Sequence, residues 1–161
     1  MKLLISISLI LFFISAQAQE KEKVYNPEID ATQQIADAVV KAKEEGKHVY
    51  LQIGGNWCSW CIMMHRFYSS DAKIDSTMNA DYVVEMVNYS KENGNTEAMT
   101  KLGFPQRFGF PVIVILDGDG NRIHTQNTVC LEEGRGYNPE KFLKFLYNWS
   151  PAALDPKNYK K

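Results

Sequence analysis

The sequence predicts an α/β fold, a three-layer sandwich with a mixed central sheet flanked by helices. Three observations carry that prediction. Amphipathic helical stretches alternate with short apolar strands along most of the chain. The strongest apolar run, Val112-Ile113-Val114-Ile115-Leu116, has the composition of a strand buried on both faces. The turn Asp117-Gly118-Asp119-Gly120 then leads straight into another strand, which adds an antiparallel hairpin to strands otherwise separated by helices. With 161 residues, 45% of them apolar, the chain has material for one core and one domain.

Each element has its own signal. Asp30 can cap a helix that runs to about Glu45, with Ile35, Val39 and Ala42 on one face and Gly46 after its end. His48 to Ile53 is a short strand stopped by Gly54-Gly55. A second helix starts at Cys58 and runs to about Tyr68, a short one spans Asp71 to Asn79, and Tyr82 to Tyr89 is a valine-rich and aromatic strand. Ser90 to Asn95 is a loop, and Thr96 to Leu102 a short helix. The hairpin pairs Val112–Leu116 with Arg122 to Gln126. After a loop through Gly134 and Gly136 comes the last helix, with Asn138 as cap, Pro139 in first position and a body from Lys141 to Trp149. The expected organisation is a leader over 19–29, a domain over 30–150 and a polar tail over 151–161.

Residues 1–18 stand apart. Lys2 precedes an apolar run from Leu3 to Ile14, and Ala16-Gln17-Ala18 supplies a small-x-small cleavage site, the pattern of a secretory signal peptide. The run is shorter than the roughly 20 apolar residues that span a bilayer, so no membrane insertion is expected after cleavage behind Ala18. The expected location is periplasmic or secreted, where thiols tend to oxidise. With 18 Lys+Arg against 19 Asp+Glu, the formal net charge of −1 leaves no basic face for a phosphate backbone, which excludes a general nucleic-acid binder. Three cysteines are too few for a disulfide-stapled fold, and one must remain unpaired within the chain.

Two of them, Cys58 and Cys61, sit in Trp57-Cys58-Ser59-Trp60-Cys61 between a strand and a helix. The N–H groups at a helix N-terminus favour a thiolate, lowering a cysteine from about 8.5 to between roughly 3.5 and 7.5. The second cysteine, one turn deeper, is near enough to close a disulfide. An exposed attacker with a sheltered partner is what thiol–disulfide exchange needs. Half of a zinc site and a static structural disulfide are the competing readings. The former would need two more ligands from Cys130, His48, His65 and His124, which form no second paired motif. No metal and no cofactor are expected.

The strand–Gly-Gly–Trp-Cys-x-x-Cys–helix unit, followed by Gly109-Phe110-Pro111 at the head of a strand, resembles the thioredoxin-fold family from about Asp30 to Trp149. More narrowly it resembles secreted or periplasmic bacterial thioredoxin-like proteins with a leading helix. The resemblance implies that Cys58 is the nucleophile and Cys61 the resolving thiol of a redox-active disulfide. It makes Trp57, Phe110 and Pro111 substrate-binding residues, with Pro111 as the family's cis-proline and Pro105 its competitor. It implies protein thiol or disulfide substrates and a redox partner, either membrane-embedded or itself thioredoxin-like. Two departures stand out. Gln52 occupies the place of the buried acid that accepts a proton from the second cysteine, and Ser59-Trp60 replaces Gly-Pro between the cysteines. The expected function is an exported thiol–disulfide oxidoreductase. The alternative is a non-catalytic thioredoxin-like binding module or Cu(I) carrier. Cys130 is expected to be a free, partly buried cysteine, with a third redox thiol as the sharper reading. His65 lies on the face of Cys58 but two turns away.

Overall fold

The computed structural model describes residues 23–160. The signal-peptide reading of residues 1–18 lies outside them. Four strands form the main sheet: β1 (His48–Gly54), β2 (Tyr82–Asn88), β3 (Val112–Leu116) and β4 (Arg122–Asn127). Their order is β2-β1-β3-β4, with β1 and β2 parallel and the other two pairings antiparallel, so the sheet is mixed.

The period of two along the strands sorts their side chains into two layers. Val49, Leu51 and Ile53 of β1 and Val112, Val114 and Leu116 of β3 pack under α1 (Ala31–Glu45). Ala98 and Met99 of α4 (Thr96–Lys101) join the same core. Tyr50, Ile113 and Ile115 point to the opposite side. There they meet Met64 and Tyr68 of α2 (Ser59–Ser70), Ile74 and Met78 of α3 (Ala72–Asp81), and Phe142, Phe145 and Leu146 of α5 (Pro139–Asn148). Two apolar cores on either side of one sheet give the three-layer sandwich.

Local signals set the boundaries of these helices. Asp30 caps α1 by accepting from the Thr32 N–H at 2.8 Å, and Gly46 ends it in the left-handed region at φ 67°. Asp71 caps α3, and Asn138 caps α5 with Pro139 in the first turn. Met64 is buried and Met63 half-buried in the α2 core, which makes the pair packing residues.

Three details differ from the sequence reading. Residues 132–137 form a small hairpin, β5 (Glu132–Glu133) with β6 (Gly136–Tyr137), turned by Gly134 at φ 60°. Strands of two residues are too short to show an alternation. The segment expected as a polar tail carries α6 (Pro151–Leu154), capped by the Ser150 hydroxyl, and a 3-10 turn at Pro156–Tyr159. Cys130 is free but exposed, on a 3-10 turn over Thr128–Leu131.

Candidate active site

Strand β1 ends at Gly54, and Gly55 to Trp57 turn the chain into α2, whose N-cap is Cys58. A Cβ at Gly55 would come within 2.5 Å of the Trp57 indole nitrogen, so a side chain there would push the indole from its place. Cys58 and Cys61 are joined in a disulfide with their Cα atoms 5.2 Å apart. The Cys58 sulfur also accepts from the Cys61 N–H at 3.2 Å, an N-cap bond made by sulfur. Cys58 retains 7% exposure and Cys61 none. Of the two cysteines, only Cys58 keeps any contact with solvent.

The structure brings the other expected residues to the same end of the sheet. Trp57 is 59% exposed, donates from its indole N–H to the Tyr89 carbonyl at 2.8 Å, and meets Phe110 edge-on at 5.3 Å. Phe110 stacks on Tyr89 at 5.0 Å. The Phe110–Pro111 peptide is cis, and Thr128 donates from its hydroxyl to the Pro111 carbonyl at 2.6 Å. Pro105 instead opens a 3-10 turn, Pro105–Phe108. Trp60 packs edge-on against Tyr137 at 5.5 Å. A groove of about 740 Å³ beside Trp57 is lined by Pro27, Asn56, Asn88, Tyr89, Lys91 and Glu92 among others. His65 lies against the Tyr68 ring at 5.5 Å.

Sequence reasoning missed the leader's part in this site. Tyr25 is 2% exposed and forms one buried cluster with Cys58 and Cys61. Asn56 holds the leader there: its side-chain oxygen accepts from the N–H groups of Val24 and Tyr25 at 2.9 and 3.0 Å, and its amide donates to the Tyr25 carbonyl at 2.7 Å. Gln52, fully buried, donates from Nε2 to the Tyr25 hydroxyl at 2.5 Å and to the Cys61 carbonyl at 3.0 Å. Burial pushes the Tyr25 phenol up, and the Gln52 hydrogen bond offsets only part of that. The available signal was the adjacent pair Val24-Tyr25, which with Ile29 are the large apolar residues of a mostly polar leader.

No curated protein matches the chain. Among solved structures it is similar to a disulphide isomerase from Xylella fastidiosa Temecula1, with 22% identity, a TM-score of 0.69, and coverage of 79% of this chain and 96% of that one. It is also similar to a structure described as DsbH oxidoreductase, at 19% identity and a TM-score of 0.53, covering 70% of this chain and 78% of that one. The C-terminal domain of Neisseria meningitidis DsbD in its oxidised form shares 18% identity at a TM-score of 0.52, over 74% and 96% of the two chains. Likeness at these identities shows the thioredoxin fold. One family matches residues 19–149, the Thioredox_DsbH family, described as a protein of unknown function, DUF255. A thioredoxin-like fold, a disulfide-bonded Trp-Cys-x-x-Cys pair at a helix start and that match together place the chain in the Thioredox_DsbH family of thioredoxin-like proteins.

Proposed function

We propose that this protein is an exported thiol–disulfide oxidoreductase that exchanges disulfides with protein substrates through Cys58 and Cys61. The observation that carries the reading is the disulfide at the start of α2, with Cys58 keeping a little exposure and Cys61 fully buried. The descriptions of the structural neighbours as a disulphide isomerase and an oxidoreductase support it.

In the reducing direction, the Cys58 thiolate attacks a substrate disulfide, forms a mixed disulfide and expels one substrate thiolate. Cys61 then loses its proton and attacks the Cys58 sulfur, expelling the second substrate thiolate and closing the Cys58–Cys61 bond. Two electrons pass to the substrate. In the oxidising direction a substrate thiolate attacks Cys58 and Cys61 leaves as a thiolate; the second substrate thiolate then attacks the substrate sulfur of the mixed disulfide and expels Cys58, so that two electrons pass to the cysteine pair. Neither direction calls for a cofactor, but each turnover leaves the pair in the wrong redox state, so a redox partner must reset it. A membrane-embedded carrier or another thioredoxin-like protein would serve. The exposed Trp57, with Phe110 and the backbone at Pro111, is the surface on which a substrate chain would lie.

Export is supported by the residues of the apolar run and the Ala16-Gln17-Ala18 site. No helix among the described residues is long and apolar enough to cross a membrane. Insulin reduction tests the chemistry: the wild-type chain should turn over and Cys58→Ser should not. Equal rates in the two would end the proposal. N-terminal sequencing of protein recovered from the producing cell should begin at Gln19.

A further inference from the structure

We propose that the Tyr25 hydroxyl donates a hydrogen bond to the Cys61 sulfur when that sulfur is a thiolate, and that Gln52 is the positioning residue that holds the phenol for it. The inference rests on the exchange reading above and deepens it by assigning the group that stabilises the leaving sulfur.

Three features meet at this spot. The Gln52 amide donates at once to the Cys61 carbonyl, 3.0 Å away, and to the Tyr25 oxygen, 2.5 Å away. A phenol oxygen that accepts from an amide has its own hydrogen left to donate, and accepting strengthens it as a donor. Gly54 then leaves the way open. A Cβ built there would meet the Cys61 sulfur at 2.5 Å and the Tyr25 oxygen at 2.9 Å, so sulfur and hydroxyl border one spot that no Gly54 side chain fills. Lastly, the leader that delivers Tyr25 is tied by three Asn56 hydrogen bonds to the turn that also carries Cys58.

The chemistry differs from that of a buried carboxylate. A carboxylate takes the proton of the resolving thiol, whereas a buried phenol keeps its own proton and offers the sulfur a hydrogen bond in place of a base. Among the described residues, the phenols of Tyr50 in β1, Tyr68 in α2 and Tyr137 in β6 interact electrostatically with Tyr25 across the core. When a substrate thiolate attacks Cys58, the Cys58–Cys61 bond breaks, its electron pair goes to Cys61, and the new thiolate finds a donor already in place. The reverse step needs the Cys61 proton to leave for solvent, with Tyr25 holding the resulting charge. Tyr25 is neither oxidised nor deprotonated in either direction.

The test separates this role from simple packing. In a Cys58→Ser, Cys130→Ser background Cys61 is the single thiol, and its ionisation is followed by ultraviolet thiolate absorbance. Adding Tyr25→Phe should lower its acid constant roughly tenfold, about one pH unit. In the otherwise wild-type chain, Tyr25→Phe should slow opening of the disulfide by dithiothreitol by a comparable factor. Gln52→Leu keeps the phenol but releases it, and should shift both readings the same way by less. A folded Tyr25→Phe protein whose Cys61 titrates as before overturns the proposal. Should Tyr25→Phe fail to fold, an unmoved Cys61 titration in Gln52→Leu overturns it equally. The titration needs no turnover, so a shifted Cys61 in a protein that cannot reduce insulin would sink the exchange reading while supporting the Tyr25 contact.

Discussion

Replacing Asn56 with alanine removes three of the hydrogen bonds that hold the leader, at 2.9, 3.0 and 2.7 Å, and leaves those from Asn93 to the Pro27 and Ile29 carbonyls and from Gln52 to the Tyr25 hydroxyl. At about 1 kcal/mol net for each bond, docking of Val24 and Tyr25 should weaken by roughly 2–4 kcal/mol. Burial of the Tyr25 ring, about 1.5–3 kcal/mol, still opposes detachment, so the leader should loosen and not be lost. The β1 and β3 ladders make their hydrogen bonds without the leader, and the opening should therefore be local. Amide hydrogen exchange reads this directly. The Val24 and Tyr25 amides should exchange roughly thirtyfold to several-hundredfold faster in Asn56→Ala, while amides of β1 and β3 change little. Asn56→Asp keeps the acceptor and loses the donor, and should fall between. Unchanged exchange at Val24 and Tyr25 would refute the reasoning. So would an equal acceleration throughout the sheet, because Asn56 would then be supporting the whole fold and not the leader.

Two further outcomes follow from the packing. Gly54→Ala should destabilise the disulfide form by about 1–3 kcal/mol, because the new methyl meets a sulfur that the disulfide tethers. Reduction releases that sulfur, so the drop in urea midpoint should be smaller for the dithiol; equal drops would contradict the clash. Burial raises the phenols of Tyr25, Tyr50, Tyr68, Tyr82 and Tyr137 above their ordinary value of 10.0. The folded state thus holds these protons after the unfolded chain has begun to lose them, and their stabilisation is complete below about pH 10 and lost above it, at up to about 1.4 kcal/mol per pH unit for each group. The urea midpoint should be level to about pH 9 and fall steeply beyond 10, and a level midpoint at about pH 11 would show that these rings are not protected in the fold.

The sheet and its helices were legible because each announces itself locally. Asp30 and Gly46 bracket α1, Pro139 follows its Asn138 cap, and the unbroken run of β3 has the composition of a strand covered on both faces. That these residues meet was legible for the same reason, since the cysteines, Trp57 and the Phe110–Pro111 pair of the candidate site stand in short local motifs. What stayed hidden depends on contacts between distant residues. The hairpin of β5 and β6 has two residues in each strand, too few for any period. Ser150-Pro151 is a cap signal of the same kind as Asn138-Pro139, but a helix of four residues has no periodic body behind it to draw attention.

Gln52 shows the limit most plainly. Read along the chain, it is a missing acid, and the strand around it offers no reason for a buried amide. Its partners are the carbonyl of Cys61, nine residues on, and the hydroxyl of Tyr25, 27 residues back. Tyr25 in turn looks like one aromatic in a polar leader, because the residue that docks it, Asn56, lies 31 positions away in the turn before Cys58. The Gln52 amide nitrogen finds its second acceptor only when the leader is docked, although the amide oxygen stays buried without a hydrogen-bond partner, so position 52 and the leader have to be understood together. An ionised carboxylate at position 52 could accept but not donate, and it would face the Cys61 carbonyl oxygen with no proton to offer. The glutamine is therefore matched to a site completed by a phenol, and its meaning comes from a segment that precedes the sheet.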